Sequence, residues 1–134
     1  MLDLREKICK HVNKSIANKQ YNEELSFLIP EKTVKRVKAI LHLNMQNYTC
    51  VIKSPDVRHV YKGHPEDIEY ICEIPDIIQK FHKVQKSITK DKKTGATLVN
   101  LEFYKKYENN IVKLVKLKIH VNKRLELKTI FIKD

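Results

Sequence analysis

The C-terminal part of the chain alternates apolar and polar residues in four segments. They read KVQKSIT, ATLVNLEFYKKY, NIVKLVKLKIHV and RLELKTIFIK, and the connections between them are KDKKTG, ENN and NK. A period of two is typical of a β-strand with one buried face, and Asn, Asp and Gly favour turns. The pattern therefore predicts that residues 82–133 form a four-stranded antiparallel β-meander.

The same alternation predicts which side chains share a face of this sheet. The row expected to be covered by helices is Thr97, Val99, Leu101, Phe103, Val115, Leu117, Ile119, Val121, Leu125, Leu127, Thr129 and Phe131. The row expected on the opposite face is Asn100, Glu102, Tyr104, Lys116, Lys118, His120, Glu126 and Lys128. The second row is polar and mostly basic. It is either an ordinary solvated face or a surface across which phosphates lie.

Residues 1–81 are predicted to be mainly helical. Apolar residues recur every four positions in residues 2–18, and a second helix is expected from Pro30 to Leu41. A third helix begins at SPD and ends at Gly63, and two short helices begin near Pro65 and Pro75. YTCVIK, residues 48–53, is a candidate short strand. The whole chain, 1–134, is predicted to be a single α+β domain with N-terminal helices packed on one face of the C-terminal four-stranded meander.

The net charge favours a polyanionic partner. Lys and Arg number 27 against 16 Asp and Glu, which gives +11, although a lysine-rich composition alone also produces this excess. No run approaches the ~18 apolar residues that a membrane span needs, and the N-terminus MLDLREKICKHVNK is charged. We therefore expect a soluble, cytoplasmic protein without a membrane partner. The widely spaced Cys9, Cys50 and Cys72 are expected to be reduced and mostly buried.

Three segments carry a resemblance to a known family. VRHVYKGH is followed about ten residues later by IPDII, and the meander ends in LELKTIF. Together, over roughly residues 25–133, they resemble the phage-borne nucleases of the barnase, EndoU, colicin D and RelE-like group (PBECR). The resemblance implies helices on one face of a four-stranded antiparallel sheet, with RNA cleaved at the other face or its rim. It implies a metal-independent endoribonuclease, as a toxin or phage-encoded effector.

Metal-independent RNA cleavage needs a base for the 2′-hydroxyl proton, an acid for the leaving oxygen, and donors for the developing charge. His59 and His64 are the candidate acid and base, in either order, because an imidazole titrates near pH 6.5. Each can instead be a packed or helix-terminal histidine. Thr129 matches the hydroxyl that the resembled families place near phosphate, whereas the alternation assigns it to the core.

The candidate RNA-binding residues are Arg58, Lys62, Lys116, Lys118, His120 and Lys128. No metal or cofactor is expected, because HVYKGH lacks the i, i+4 spacing of a helical zinc-binding pair. The expected partner is RNA, with a protein inhibitor or immunity protein as a second candidate. Two alternative functions remain at this point: a non-catalytic nucleic-acid-binding module and a phage accessory interaction domain.

Overall fold

The computed structural model describes residues 2–107, 112–120 and 122–133, and it leaves out the side chains of residues 112–116, 118, 120 and 133. The described α-helices are α1 (Leu4–Ala17), α2 (Glu31–Leu41), α3 (Ser54–Gly63) and α4 (Ile74–Lys80), and a 3-10 helix spans Pro65–Glu73. The described strands are β1 (Glu24–Leu28), β2 (Thr49–Lys53), β3 (Lys83–Lys90), β4 (Thr97–Lys106), β5 (Val112–His120) and β6 (Arg124–Lys133). No described helix is long and apolar enough to cross a bilayer.

The described strands form one sheet of six strands in the order β1-β2-β6-β5-β4-β3. β3 to β6 are joined as an antiparallel meander, β2 pairs with β6 in parallel, and β1 pairs with β2 antiparallel. The α+β class is confirmed. The predicted four-stranded meander is present, but it is part of a larger sheet that also contains β1 and β2. The unpredicted strand β1 lies at the sheet edge and only half-buries Leu25 and Phe27, so its five residues give a weak pattern.

The core lies between the helices and one face of the sheet. α2 contacts β3, α4 contacts β4 and β5, and α3 contacts β2 and β6. The fully buried side chains of this core include Ile8, Ile52, Val57, Ile71, Ile74, Ile77, Ile78, Phe81, Leu101, Phe103, Leu117 and Ile130. Each buried aliphatic or aromatic side chain contributes roughly 1.5–3 kcal/mol, so this layer of contacts provides most of the stability.

A β-bulge in β6 changes the predicted register. Leu127 pairs with Leu117 and Thr129 pairs with Lys116, so Lys128 is an additional residue in β6 at which the strand register shifts. A bulge of this kind moves every later side chain to the other face of the strand. Thr129 is therefore half-buried on the face opposite Leu127, and Ile130 is fully buried. The assignment of Thr129 and Phe131 to the covered row was wrong for this reason.

A disulfide joins the N-terminal helix to the 3-10 helix. Cys9 in α1 is bonded to Cys72, 63 residues later in the sequence, with their Cα atoms 5.2 Å apart. Arg5 adds an ion pair of 3.0 Å with Glu73 between the same two elements. The prediction of reduced thiols was wrong for Cys9 and Cys72. It holds for Cys50, whose thiol is free and buried, and whose burial raises its pKa to about 12.

His11 connects α1 to the sheet. Its Nε2 lies 2.8 Å from the carbonyl oxygen of Ile52, so this nitrogen donates, and its Nδ1 lies 3.1 Å from the hydroxyl of Tyr21. The ring is buried, and this burial lowers its pKa, although the hydrogen bond to Ile52 and the charge of Glu23 oppose the shift. His11 is therefore a neutral structural group at neutral pH.

The bulge predicts a contrast between two adjacent substitutions. Thr129→Ala should lower the free energy of unfolding by less than ~1 kcal/mol, whereas Ile130→Ala should lower it by about 2–5 kcal/mol because it leaves a cavity in the core. Urea unfolding of both variants measures the difference. If the strand continued without a bulge, the two values would be exchanged.

The disulfide predicts a redox-dependent stability. Reduction should lower the free energy of unfolding by about 2–4 kcal/mol, because the bond closes a long loop in the unfolded chain. Thermal melting with and without dithiothreitol measures this effect, and a Cys9→Ser/Cys72→Ser double variant is the control that should not respond. Titration of three free thiols in the unreduced, unfolded protein would contradict the bond.

The lowered pKa of His11 predicts a loss of stability in acid. The folded state binds the proton less readily than the unfolded state, so the stabilisation is present above the ordinary imidazole pKa of about 6.5 and is lost as pH falls through that value. Urea unfolding at about pH 7.5 and about pH 5.5 measures the slope. His11→Gln should flatten this slope, and the exposed His82→Gln should leave it unchanged.

Candidate functional site

The candidate site lies where β2 separates from β6. The parallel pairing covers only Thr49–Val51 and Arg124–Glu126, and the chain then enters α3 directly after Lys53. The rest of β6 has α3 and the 3-10 helix beside it instead of a strand. One backbone group of this free edge, the N–H of Ile132, donates to Oδ2 of Asp67 at 3.3 Å. Side chains therefore provide part of the backbone hydrogen bonding at this edge of β6. Because no described strand covers the edge, there is room for a cleft beside it.

A cleft of about 410 Å³ opens between the end of α3 and β6. Its lining is His59, Val60, Lys62, Gly63, His64 and Thr129. The bulge at Lys128 is what turns Thr129 away from the core row and allows it to reach this lining. The structure thus brings His59, His64 and Thr129 together at one cleft, with the exposed Lys62 beside them.

The two histidines differ in how firmly they are held. His64 follows the last residue of α3, and its N–H donates to the carbonyl of Val60 at 2.7 Å. Its ring is half-buried and stacks on Phe131, with the centroids 5.3 Å apart. His59 is exposed on α3 and also lines a second cleft of about 290 Å³. One imidazole is therefore fixed in orientation, and the other connects two adjoining clefts.

The second cleft contains acidic residues that the sequence did not single out as site residues. Asp56, Glu126 and Lys128 line it with His59, and Leu98 and Leu127 complete the lining. Alternation had placed Glu126 on the polar face, but nothing in the sequence indicated that α3 would bring Asp56 and His59 next to it. This proximity depends on the short β2–β6 pairing described above.

The polar face of the sheet is curled rather than flat. Nζ of Lys128 in β6 donates to Oγ1 of Thr89 in β3 at 3.1 Å, although β5 and β4 lie between these strands. Three strand spacings in a flat sheet amount to about 14 Å, which is more than these two side chains can span. Asn100, on the same face, is fully buried and donates to the same hydroxyl at 3.2 Å.

Carboxylates in this curled face are paired and buried. Glu102 accepts hydrogen bonds from Gln85 at 2.8 Å and from Tyr104 at 2.9 Å, and burial together with Glu102 raises the pKa of Tyr104 to about 12. Glu126 is 6% exposed and forms an ion pair of 3.0 Å with Lys53. The sequence left open an ordinary solvated face and a phosphate-binding face. Glu102 and Glu126 are not solvated, because curling recesses them.

The remaining residues predicted to contact RNA are Arg58 and three residues of β5. The guanidinium of Arg58 donates to the carbonyl oxygens of Ser15 and Tyr21, each at 3.0 Å. It therefore holds α3 against the N-terminal helix and the segment after it. Its role as a phosphate contact stays a prediction. Lys116, Lys118 and His120 occupy positions in β5, but their side chains lie outside the described part of the structure.

Comparison of the chain with protein-family models, with curated proteins and with solved structures finds no match. The interpretation of the clefts therefore depends on their own geometry and chemistry.

Proposed function

We propose that the protein is a metal-independent endoribonuclease that cleaves RNA by general acid–base transesterification. The observation that carries this proposal is the single cleft lined by His59, His64 and Thr129. Two imidazoles at one phosphodiester supply both proton transfers near neutral pH. The proposal agrees with the resemblance to PBECR nucleases, but it is argued from the cleft.

Each residue of the cleft has a role in this mechanism. One histidine removes the 2′-hydroxyl proton of the ribose, and the other protonates the leaving 5′-oxygen. The hydroxyl of Thr129 and the ammonium of Lys62 stabilise the charge that develops on the phosphorus oxygens. The stacking of His64 on Phe131 keeps one ring oriented.

The adjoining cleft extends the proposed substrate path. An RNA strand that places its scissile phosphate at the first cleft runs past His59 into the second cleft, where Lys128 meets the next phosphate. The net charge of +11 attracts the strand electrostatically. The half-buried Asp56 suits a contact to a ribose hydroxyl or a base amino group rather than to phosphate, whereas Glu126 is already ion-paired with Lys53.

A non-catalytic nucleic-acid-binding module is the second candidate. The observation in its favour is that His64 has a structural contact, its stack on Phe131, which requires no catalysis. In this case RNA still occupies the clefts and binding weakens steeply with salt, but no strand is cut. An accessory protein-interaction domain would not bind RNA appreciably at either low or physiological salt. A protein inhibitor that covers the cleft remains a proposed partner of the nuclease.

The proposed location is the cytoplasm, where an RNA-cleaving effector meets its substrate. The Cys9–Cys72 disulfide weighs against a permanent residence there, because a reducing cytosol keeps most cysteines as thiols. A chain that acts in the cytoplasm would therefore be expected to work with this bond open.

The nuclease mechanism predicts the effect of removing either imidazole. His59→Ala and His64→Ala should each lower kcat/KM for RNA cleavage by about 10²–10⁴-fold, and the double variant should lose little more, because the two groups act together. Cleavage of a labelled RNA in the presence of EDTA measures the effect. The products should end in 2′,3′-cyclic phosphate or 3′-phosphate.

His82→Ala is the matched control, because His82 is exposed and lies outside both clefts. Circular dichroism spectra and melting curves of all variants show whether the fold is retained. Undiminished cleavage by the folded double variant, or an equal loss in His82→Ala, would contradict the mechanism. RNA binding without any cleavage by the unsubstituted protein would instead support the binding module.

A further inference from the structure

Three potential ligand groups meet at the start of the 3-10 helix. A ring nitrogen of His64 and carboxylate oxygens of Glu66 and Asp67 all lie within 4.8 Å of one another. The three residues are close in sequence, and a hydrogen bond of 3.0 Å from the N–H of Asp67 to the carbonyl of His64 closes the turn that holds them. The cluster lies at the border of the first cleft, of which His64 is a part.

Asp67 is the unusual member of this cluster. It is only 5% exposed, and its hydrogen bond from Ile132 is the contact that the structure describes for its carboxylate. No Lys or Arg pairs with it among the described residues, although the chain has an excess of 11 positive charges. A buried carboxylate without a compensating cation is costly, and such groups in proteins are usually paired or bound to a metal.

The ligand groups are also held in place before any ion arrives. The stack on Phe131 fixes the ring of His64, and the hydrogen bond from the N–H of Ile132 fixes Oδ2 of Asp67 to β6. Glu66 is exposed, so its side chain can move to complete the set. Two ordered ligands and one adaptable ligand around a small space are what a cation site needs.

We propose that His64, Glu66 and Asp67 form a binding site for a divalent transition-metal ion. One imidazole nitrogen and two carboxylate oxygens suit Zn²⁺, which takes three protein ligands and keeps a fourth position for water. Mg²⁺ fits this set poorly, since it prefers oxygen ligands in an octahedron. The sequence argument against a metal considered His59 and His64 as a pair, whereas this site uses only the second histidine.

The site also regulates the proposed nuclease, and this part of the inference depends on the proposed function. A metal ion on His64 occupies a nitrogen lone pair that proton transfer requires, so the metal-bound protein lacks one of its two acid–base groups. Zn²⁺ should therefore inhibit a reaction that proceeds fully in EDTA. The site acts as a switch on the same cleft without taking part in the chemistry.

The test uses the full chain, freed of metal with EDTA and transferred to chelator-free buffer, with ZnCl₂ as the probe. Zn²⁺ at about 100 times its Kd should raise the melting temperature by at least about 5 °C, and Mg²⁺ should give no rise. Calorimetric titration should find one ion per chain.

Glu66→Gln and Asp67→Asn should each weaken Zn²⁺ affinity about tenfold or more. His82→Ala should bind Zn²⁺ as the unsubstituted protein does.

Glu66→Gln keeps the proposal falsifiable if Asp67→Asn does not fold, because Glu66 is exposed. Equal Zn²⁺ affinity in Glu66→Gln and the unsubstituted protein, or no stabilisation by Zn²⁺ at all, would overturn the site. Zn²⁺ binding without inhibition of cleavage would support the site and remove His64 from the proposed mechanism. Absence of Zn²⁺ binding together with a loss of cleavage in His64→Ala would overturn the site and leave the nuclease intact.

Discussion

The short parallel pairing of β2 with β6 is the constraint on which the rest of the structure depends. Three residue pairs hold the two strands together, and the chain then passes without a loop from Lys53 into α3. Had β2 continued, a fifth long strand would cover the edge of β6 where the clefts now open. Because the helix takes its place, side chains of α3 meet side chains of β6 across a gap wide enough for a ligand.

The curled polar face follows from the same sheet and changes how a polyanion can approach it. Glu102 and Glu126 are recessed and hydrogen-bonded or ion-paired within the face, so much of its charge is compensated internally. Buried pairs of this kind contribute more to a defined geometry than to stability. Among the described side chains around this face, Lys53 and Arg124 are ion-paired with Glu126 and are therefore less available to a phosphate backbone. Lys62, at the rim of the first cleft on α3, is exposed, and the proposed function places the phosphate there.

The sequence was most informative where one period of apolar residues ran over many positions. The four strands from residue 83 to residue 133 and the α-helices were predictable, because each repeated its period several times. The face on which Thr129 lies was not predictable. One additional residue, Lys128, reverses the alternation of faces, and the sequence pattern gives no sign of this bulge. The Cys9–Cys72 bond and the backbone contacts of Arg58 were equally hidden, since both join segments distant in sequence. His59, His64 and Thr129 were candidates from the sequence, but their proximity at one cleft depends on contacts that only the fold supplies.

His64 shows why position in the fold matters more than residue type for its chemistry. Facing the first cleft beside Lys62 and Thr129, its imidazole is available for proton transfer. The same ring also lies within 4.8 Å of carboxylate oxygens of Glu66 and Asp67, the ligand set of the proposed metal site. A proton leaves the ring able to act as an acid, whereas a metal ion removes it from the reaction. The proposed metal site and the proposed proton transfer therefore compete for the same imidazole.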